Sequence, residues 1–121
     1  MRPVAAIAIV AGLSTALVVQ AQTVLSAEVI KQSFAGNTGE IVGSQNSTFV
    51  YWAPDGSQRM QNARGADTGN WRITAEGDFC GKWVRLRNGA EACFPVIDTG
   101  GSTYQWGDTR FRVLLGNPKG L

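Results

Sequence analysis

Histidine does not occur in this sequence, and its absence closes off more chemistry than any residue present opens. Without it there is no Ser-His-Asp or Cys-His nucleophile, no ordinary zinc or iron ligand set, and no imidazole base near neutral pH. Cysteine is almost as scarce, with Cys80 and Cys93 the whole supply. Neither sign of charge dominates, at 11 Lys and Arg against 9 Asp and Glu. A surface so close to balance gives no electrostatic reason to bind nucleic acid or an anionic membrane.

The glycine-rich stretches at 36–39, 65–69 and 100–101 lack a following Lys-Ser or Lys-Thr and a strand-to-helix setting. They read as turns and not as phosphate loops. Asp55-Gly56 and its neighbours lack EF-hand spacing. Paired carboxylates remain a route to acid-base catalysis, but Asp55, Asp67, Glu76, Asp78, Asp98 and Asp108 fall in or beside expected turns, where such residues are ordinarily solvated caps. No cofactor and no metal site is implied. There is also no long linker, low-complexity tract or second domain.

What is present begins with Met1-Arg2-Pro3 and an uncharged run over 4–19, after which Gln20-Ala21-Gln22 restores polarity. A basic start, an apolar centre and small residues at Val19-x-Ala21 predict a signal peptide over 1–21, cut before Gln22, with a cut after Ala27 as the alternative. A membrane anchor needs about 20 apolar residues. This stretch is shorter, carries Gly12, Ser14 and Thr15, and is followed by no basic cluster, so no stable span is expected after cleavage. With Arg2 removed, 10 basic residues face 9 acidic ones. The remaining 22–121 is one domain's worth of chain, periplasmic or secreted. In an oxidising compartment the pair Cys80 and Cys93 is expected to form a disulfide, stabilising the domain by roughly 3 kcal/mol.

Leu25-Ser26-Ala27-Glu28-Val29-Ile30 has a helix start: Ser26 as N-cap, Glu28 in the first turn and Leu25 placed to staple onto Ile30. The helix is expected over about 27–35, ended by Gly36-Asn37. Being too short to stand alone, it must dock Val29, Ile30 and Phe34. Candidate strands follow at 40–43, 47–53, 58–62, 70–75, 82–87, 91–97, 103–106 and 110–115, separated by Gly, Asn, Asp and Pro turns. About eight short strands at this spacing predict a mainly β fold, a small antiparallel barrel or sandwich with a short N-terminal helix.

Alternation puts Phe111, Val113 and Leu115 on one face of the last strand and Arg110 and Arg112 on the other. Likewise Val84 and Leu86 oppose Trp83, Arg85 and Arg87. Phe49-Val50-Tyr51-Trp52 is apolar on both sides, so that strand should be central, with the helix as its second cover. One conflict concerns register. A two-residue Asn88-Gly89 hairpin would pair Val84 with Cys93 and leave Cys80 opposite Ile97. That offset is about 13 Å, beyond the roughly 7 Å that a disulfide tolerates. Either the loop is wider, with Cys80 opposite Cys93, or the chain bends near Gly81. The disulfide is preferred, because the argument from compartment is independent of the local sequence.

Aromatic residues are plentiful: Trp52, Trp71, Trp83 and Trp106, with Tyr51 and Tyr104. Trp83, Arg85 and Arg87 form a candidate binding face, by stacking and forked hydrogen bonds, with Tyr51 and Trp106 as further candidates. The competing reading is that the Trp side chains fill the interior while Arg stems cover their edges. Asn46-Ser47-Thr48 is a glycosylation sequon, meaningful in a glycosylating host.

The strings Phe34-Ala35-Gly36-Asn37-Thr38, Tyr51-Trp52-Ala53-Pro54-Asp55-Gly56, Gly69-Asn70-Trp71-Arg72-Ile73, Gly77-Asp78-Phe79-Cys80 with Trp83, and Cys93-Phe94-Pro95-Val96 resemble a family of small exported bacterial proteins known as a domain of unknown function. The closing Gly116-Asn117-Pro118-Lys119-Gly120-Leu121 resembles the end of some members. The resemblance implies a signal peptide and a compact β scaffold, and it transfers no activity or functional residue.

The expectation is therefore a non-enzymatic periplasmic or secreted binding module whose partner is a protein, a glycan or a small ligand. The alternative is a periplasmic inhibitor of a protease or lysozyme. An inhibitor should present a protruding loop or N-terminal segment, so docking of residues 25–36 would count against the N-terminal version. An apolar cavity would favour a small ligand, whereas a filled interior with an exposed Trp-Arg face would favour protein or glycan recognition.

Overall fold

The computed structural model describes residues 22–121; the expected signal peptide at 1–21 lies outside the described residues. One helix is present among them, α1 (Ala27–Phe34). Ser26 caps it as its sequence predicts, Oγ accepting the Val29 N–H at 3.2 Å. Ile30 and Phe34, one turn apart, are fully buried. Val29 does not dock: it lies off that stripe and stays 41% exposed, because so short a helix presents one narrow apolar face.

Ten strands follow one another along the chain: β1 (Thr23–Val24), β2 (Thr38–Ile41), β3 (Phe49–Trp52), β4 (Ser57–Asn62), β5 (Gly65–Ile73), β6 (Phe79–Trp83), β7 (Ala92–Phe94), β8 (Val96–Gly100), β9 (Thr103–Trp106) and β10 (Thr109–Leu114). All their pairings are antiparallel, in the order β1-β8-β9-β10-β2-β3-β4-β5-β6-β7. The fold is mainly β, but the ladder is one open sheet and does not close into the expected barrel or sandwich. The count exceeds eight for two reasons. A two-residue strand at the start of the domain pairs with β8, and Pro95, which has no N–H to donate, splits the stretch at 91–97 into β7 and β8.

The open sheet curls. The Phe34 ring stacks on Trp52 at 5.0 Å and meets Phe79, Tyr104 and Phe111 edge-on at 5.8, 5.6 and 5.5 Å. Those four rings come from β3, β6, β9 and β10, strands spread across the sheet, so one helical side chain gathers them. Across the gap between the sheet's ends, the Trp106 Nε1–H of β9 donates to the Phe79 carbonyl of β6 at 2.7 Å. The C-terminal stretch ties back to the start of the sheet: the Thr38 hydroxyl donates to the Gly116 carbonyl at 2.7 Å, and the Gly116 N–H donates to Asn37 Oδ1 at 2.8 Å.

Two local expectations need correction, and one open choice of register is decided. Residues 65–69 are not a turn but the first half of β5, paired with β4. Gly69 is there because the β6 backbone comes so close that a Cβ would run into the Lys82 carbonyl. The Asn88-Gly89 hairpin does not form. Cys80 pairs with Cys93 in register, their Cα atoms are 4.1 Å apart and a disulfide joins them, so the loop takes the wider of the two forms considered. Finally, β6 stops at Trp83 instead of running over 82–87, and Val84 and Leu86 emerge 67% and 44% exposed.

Candidate functional site

A cavity of about 230 Å³ opens within the curl. Its walls come from β2, β3, β4, β6, β8, β9, β10 and the loop after β6, and they are mostly apolar. Trp52, Phe79 and Phe111 face it from the helix side. Gly81 lines it without a side chain: a Cβ there would come no nearer than 3.4 Å to Gln58 and 4.0 Å to Trp106. A glycine inside a strand marks a place left clear for something to approach.

Polar groups in the wall are few. Gln58 is 2% exposed, and its Nε2 donates to the Lys82 carbonyl at 3.4 Å. Among the described residues no donor reaches its side-chain carbonyl, an arrangement that leaves an acceptor for a guest or a water. Arg87 is the one charged residue lining the cavity. Its guanidinium carbon sits 5.4 Å from the Trp106 ring centroid, within cation–π range. Arg87 and Asn88 both adopt left-handed backbone (φ 54° for each) inside a short 3-10 segment, Leu86–Gly89. Such conformations are uncommon for residues with a Cβ and persist where surrounding contacts impose them.

Asp67 imposes them. It lies in β5, 8% exposed, not in a solvated turn. One carboxylate oxygen accepts the N–H groups of Arg85 and Leu86 at 3.1 and 3.0 Å, and the other that of Thr68 at 2.8 Å. The Arg85 Nε stands 3.8 Å from the same carboxylate. Burial pushes the Asp67 carboxyl up, but the three amides together with the Arg85 charge outweigh it and hold the group below its ordinary value.

The structure therefore divides the sequence-predicted face. Trp83 is 8% exposed and belongs to the core; Arg85 turns back to Asp67; Arg87 lies over Trp106. Trp83, Arg87 and Trp106 line the same cavity, whereas Arg85 and Tyr51 do not. Tyr51 pairs with Thr38 and Arg59 elsewhere in the sheet. Gln58, Gly81 and Asp67 are site residues that sequence reading missed. For Gly81 a signal existed, a glycine flanked by strand residues. Cys80, Glu91 and Cys93 form a group with metal-ligand spacing, but both sulfurs are in the disulfide and Glu91 takes the Arg72 fork at 2.8 and 2.7 Å. No family model matches the chain, and no curated protein or solved structure matches it either.

Proposed function

We propose that this is an exported, non-enzymatic binding domain whose ligand is a small, largely apolar molecule held inside the curled sheet. The cavity of about 230 Å³ carries that reading. Binding sites for small molecules are concave, mainly hydrophobic and aromatic, with a few polar groups to orient the guest, and Gln58 and Arg87 are such groups here. The volume is about one and a half times that of the ~150 Å³ apolar cavity that admits benzene. It therefore suits a two-ring aromatic or a chain of about eight carbons.

Export is supported by the pattern at 1–21 and by the Cys80–Cys93 disulfide, a bond at home in an oxidising compartment. In use the open sheet works as a barrel: β7 and β8 are separated by Pro95 alone, and the Trp106-to-Phe79 hydrogen bond spans the remaining gap. The docking of α1 through two fully buried side chains, Ile30 and Phe34, counts against the N-terminal version of the inhibitor reading.

Titration with a neutral probe, naphthalene, followed by tryptophan fluorescence, tests the reading. Trp52, Trp83 and Trp106 line the cavity, so binding should change their emission, with Kd in the range of about 10–100 µM from roughly 0.6 kcal/mol for each of about ten carbons. Gly81→Val places two methyl groups in the space and should weaken binding by about ten-fold or more, with folding checked by the unfolding midpoint. Absence of any naphthalene signal, or equal affinity in Gly81→Val, would overturn the proposal.

A further inference from the structure

We infer that the ligand is an aromatic carboxylate, its ring inside the cavity and its carboxylate on Arg87. This rests on the reading of the cavity as a ligand site. The ring is argued from the walls. Trp52, Phe79, Trp83, Trp106 and Phe111 supply five of the lining side chains, and flat π surfaces favour a flat guest in stacked or edge-on contact over a flexible chain.

The carboxylate is argued from Arg87. It is the one charge in the cavity wall, and among the described residues no Asp or Glu forms an ion pair with it: the pairs are Arg72 with Glu91, Arg85 with Asp67 and Arg112 with Glu40. The neighbouring Arg85 is occupied by Asp67 while Arg87 is left over the Trp106 ring. Left-handed backbone at Arg87 and Asn88, in a loop held by Asp67, fixes where that guanidinium emerges. A guanidinium offers two parallel N–H donors that match a carboxylate. With no second cation in the wall, a singly charged anion fits better than a doubly charged phosphate.

The experiment compares 2-naphthoate, naphthalene and 2-naphthylmethylamine on the full domain and on its Arg87→Gln and Arg87→Lys variants, by tryptophan fluorescence titration. The expected result is that 2-naphthoate binds about ten-fold tighter than naphthalene, and the amine more weakly than either. Arg87→Gln should bring 2-naphthoate to within about two-fold of naphthalene, both measured on that variant. Arg87→Lys should restore part of the difference, as a point charge without the fork. Equal binding of 2-naphthoate and naphthalene by the unaltered domain would overturn the carboxylate and leave the cavity reading standing. Failure of both to bind would overturn the cavity reading as well. An unchanged 2-naphthoate preference in Arg87→Gln would assign the anion to another group and sink this inference alone.

Discussion

Trp52, Phe79 and Phe111 separate two unlike halves of the interior. On the α1 side the space is filled, with Phe34 fully buried and ringed by aromatic neighbours at 5.0 to 5.8 Å. On the far side the same three residues border about 230 Å³ of unfilled volume. The first half is packed by a segment that does not belong to the sheet, while the second is bounded by strands and one loop. The second half stays hollow even with five aromatic side chains in its wall, and no separate segment is inserted there. A sealed void of this size would cost up to about 5 kcal/mol, comparable with a small domain's whole stability. The cavity is not sealed, which lowers that cost by letting solvent or a guest in.

The largest expected effect comes from emptying the filled half. Phe34→Ala should reduce unfolding stability by about 3–5 kcal/mol, read from the midpoint of a urea titration. If the loss were below about 1 kcal/mol, the helix would not be the element that gathers the sheet. A smaller loss is expected where β6 meets β7. Replacing both Cys80 and Cys93 by Ala opens a link of sequence separation 13 and should cost about 3 kcal/mol. Reductant should shift the unfolding midpoint of the parent protein and leave the variant's unchanged.

The smallest effect concerns Asp67, whose carboxyl is held below its ordinary 3.8. A group depressed in the folded state contributes stability above its unfolded value, and that contribution disappears as the pH falls through the folded value. Asp67→Asn should therefore melt below the parent at neutral pH, with the two curves converging as the solution is acidified under the usual carboxylate range. Parallel thermal midpoints at every pH would show that the loop is held by something other than this charge.

Much of the local architecture was legible in the residues. Ser26 announces its helix, Thr103–Trp106 is a strand with the bounds its turns imply, and the two cysteines decide the register against Asn88-Gly89. Trp83, Arg85 and Arg87 do not share one strand face, because β6 ends at Trp83 and the two-residue period ends with it. There the Val84 N–H turns to the Thr68 carbonyl at 2.9 Å and Asp67 collects the next two amides. The Asp67 partner lies 18 and 19 residues away in the chain, and no local pattern encodes it. The cavity was equally invisible, since an empty volume is set by how far seven strands curl and not by any single side chain.

The pairing of β2 with β10, reinforced by Gly116 between Asn37 and Thr38, carries a consequence for the order of synthesis. An early strand must wait for the last one before it gains its second neighbour, so the sheet is left in two unjoined pieces until nearly the whole polypeptide has left the ribosome. Contacts this remote in sequence form late and slowly. The edges of β2 and β10 that are to meet therefore stay without each other through most of synthesis.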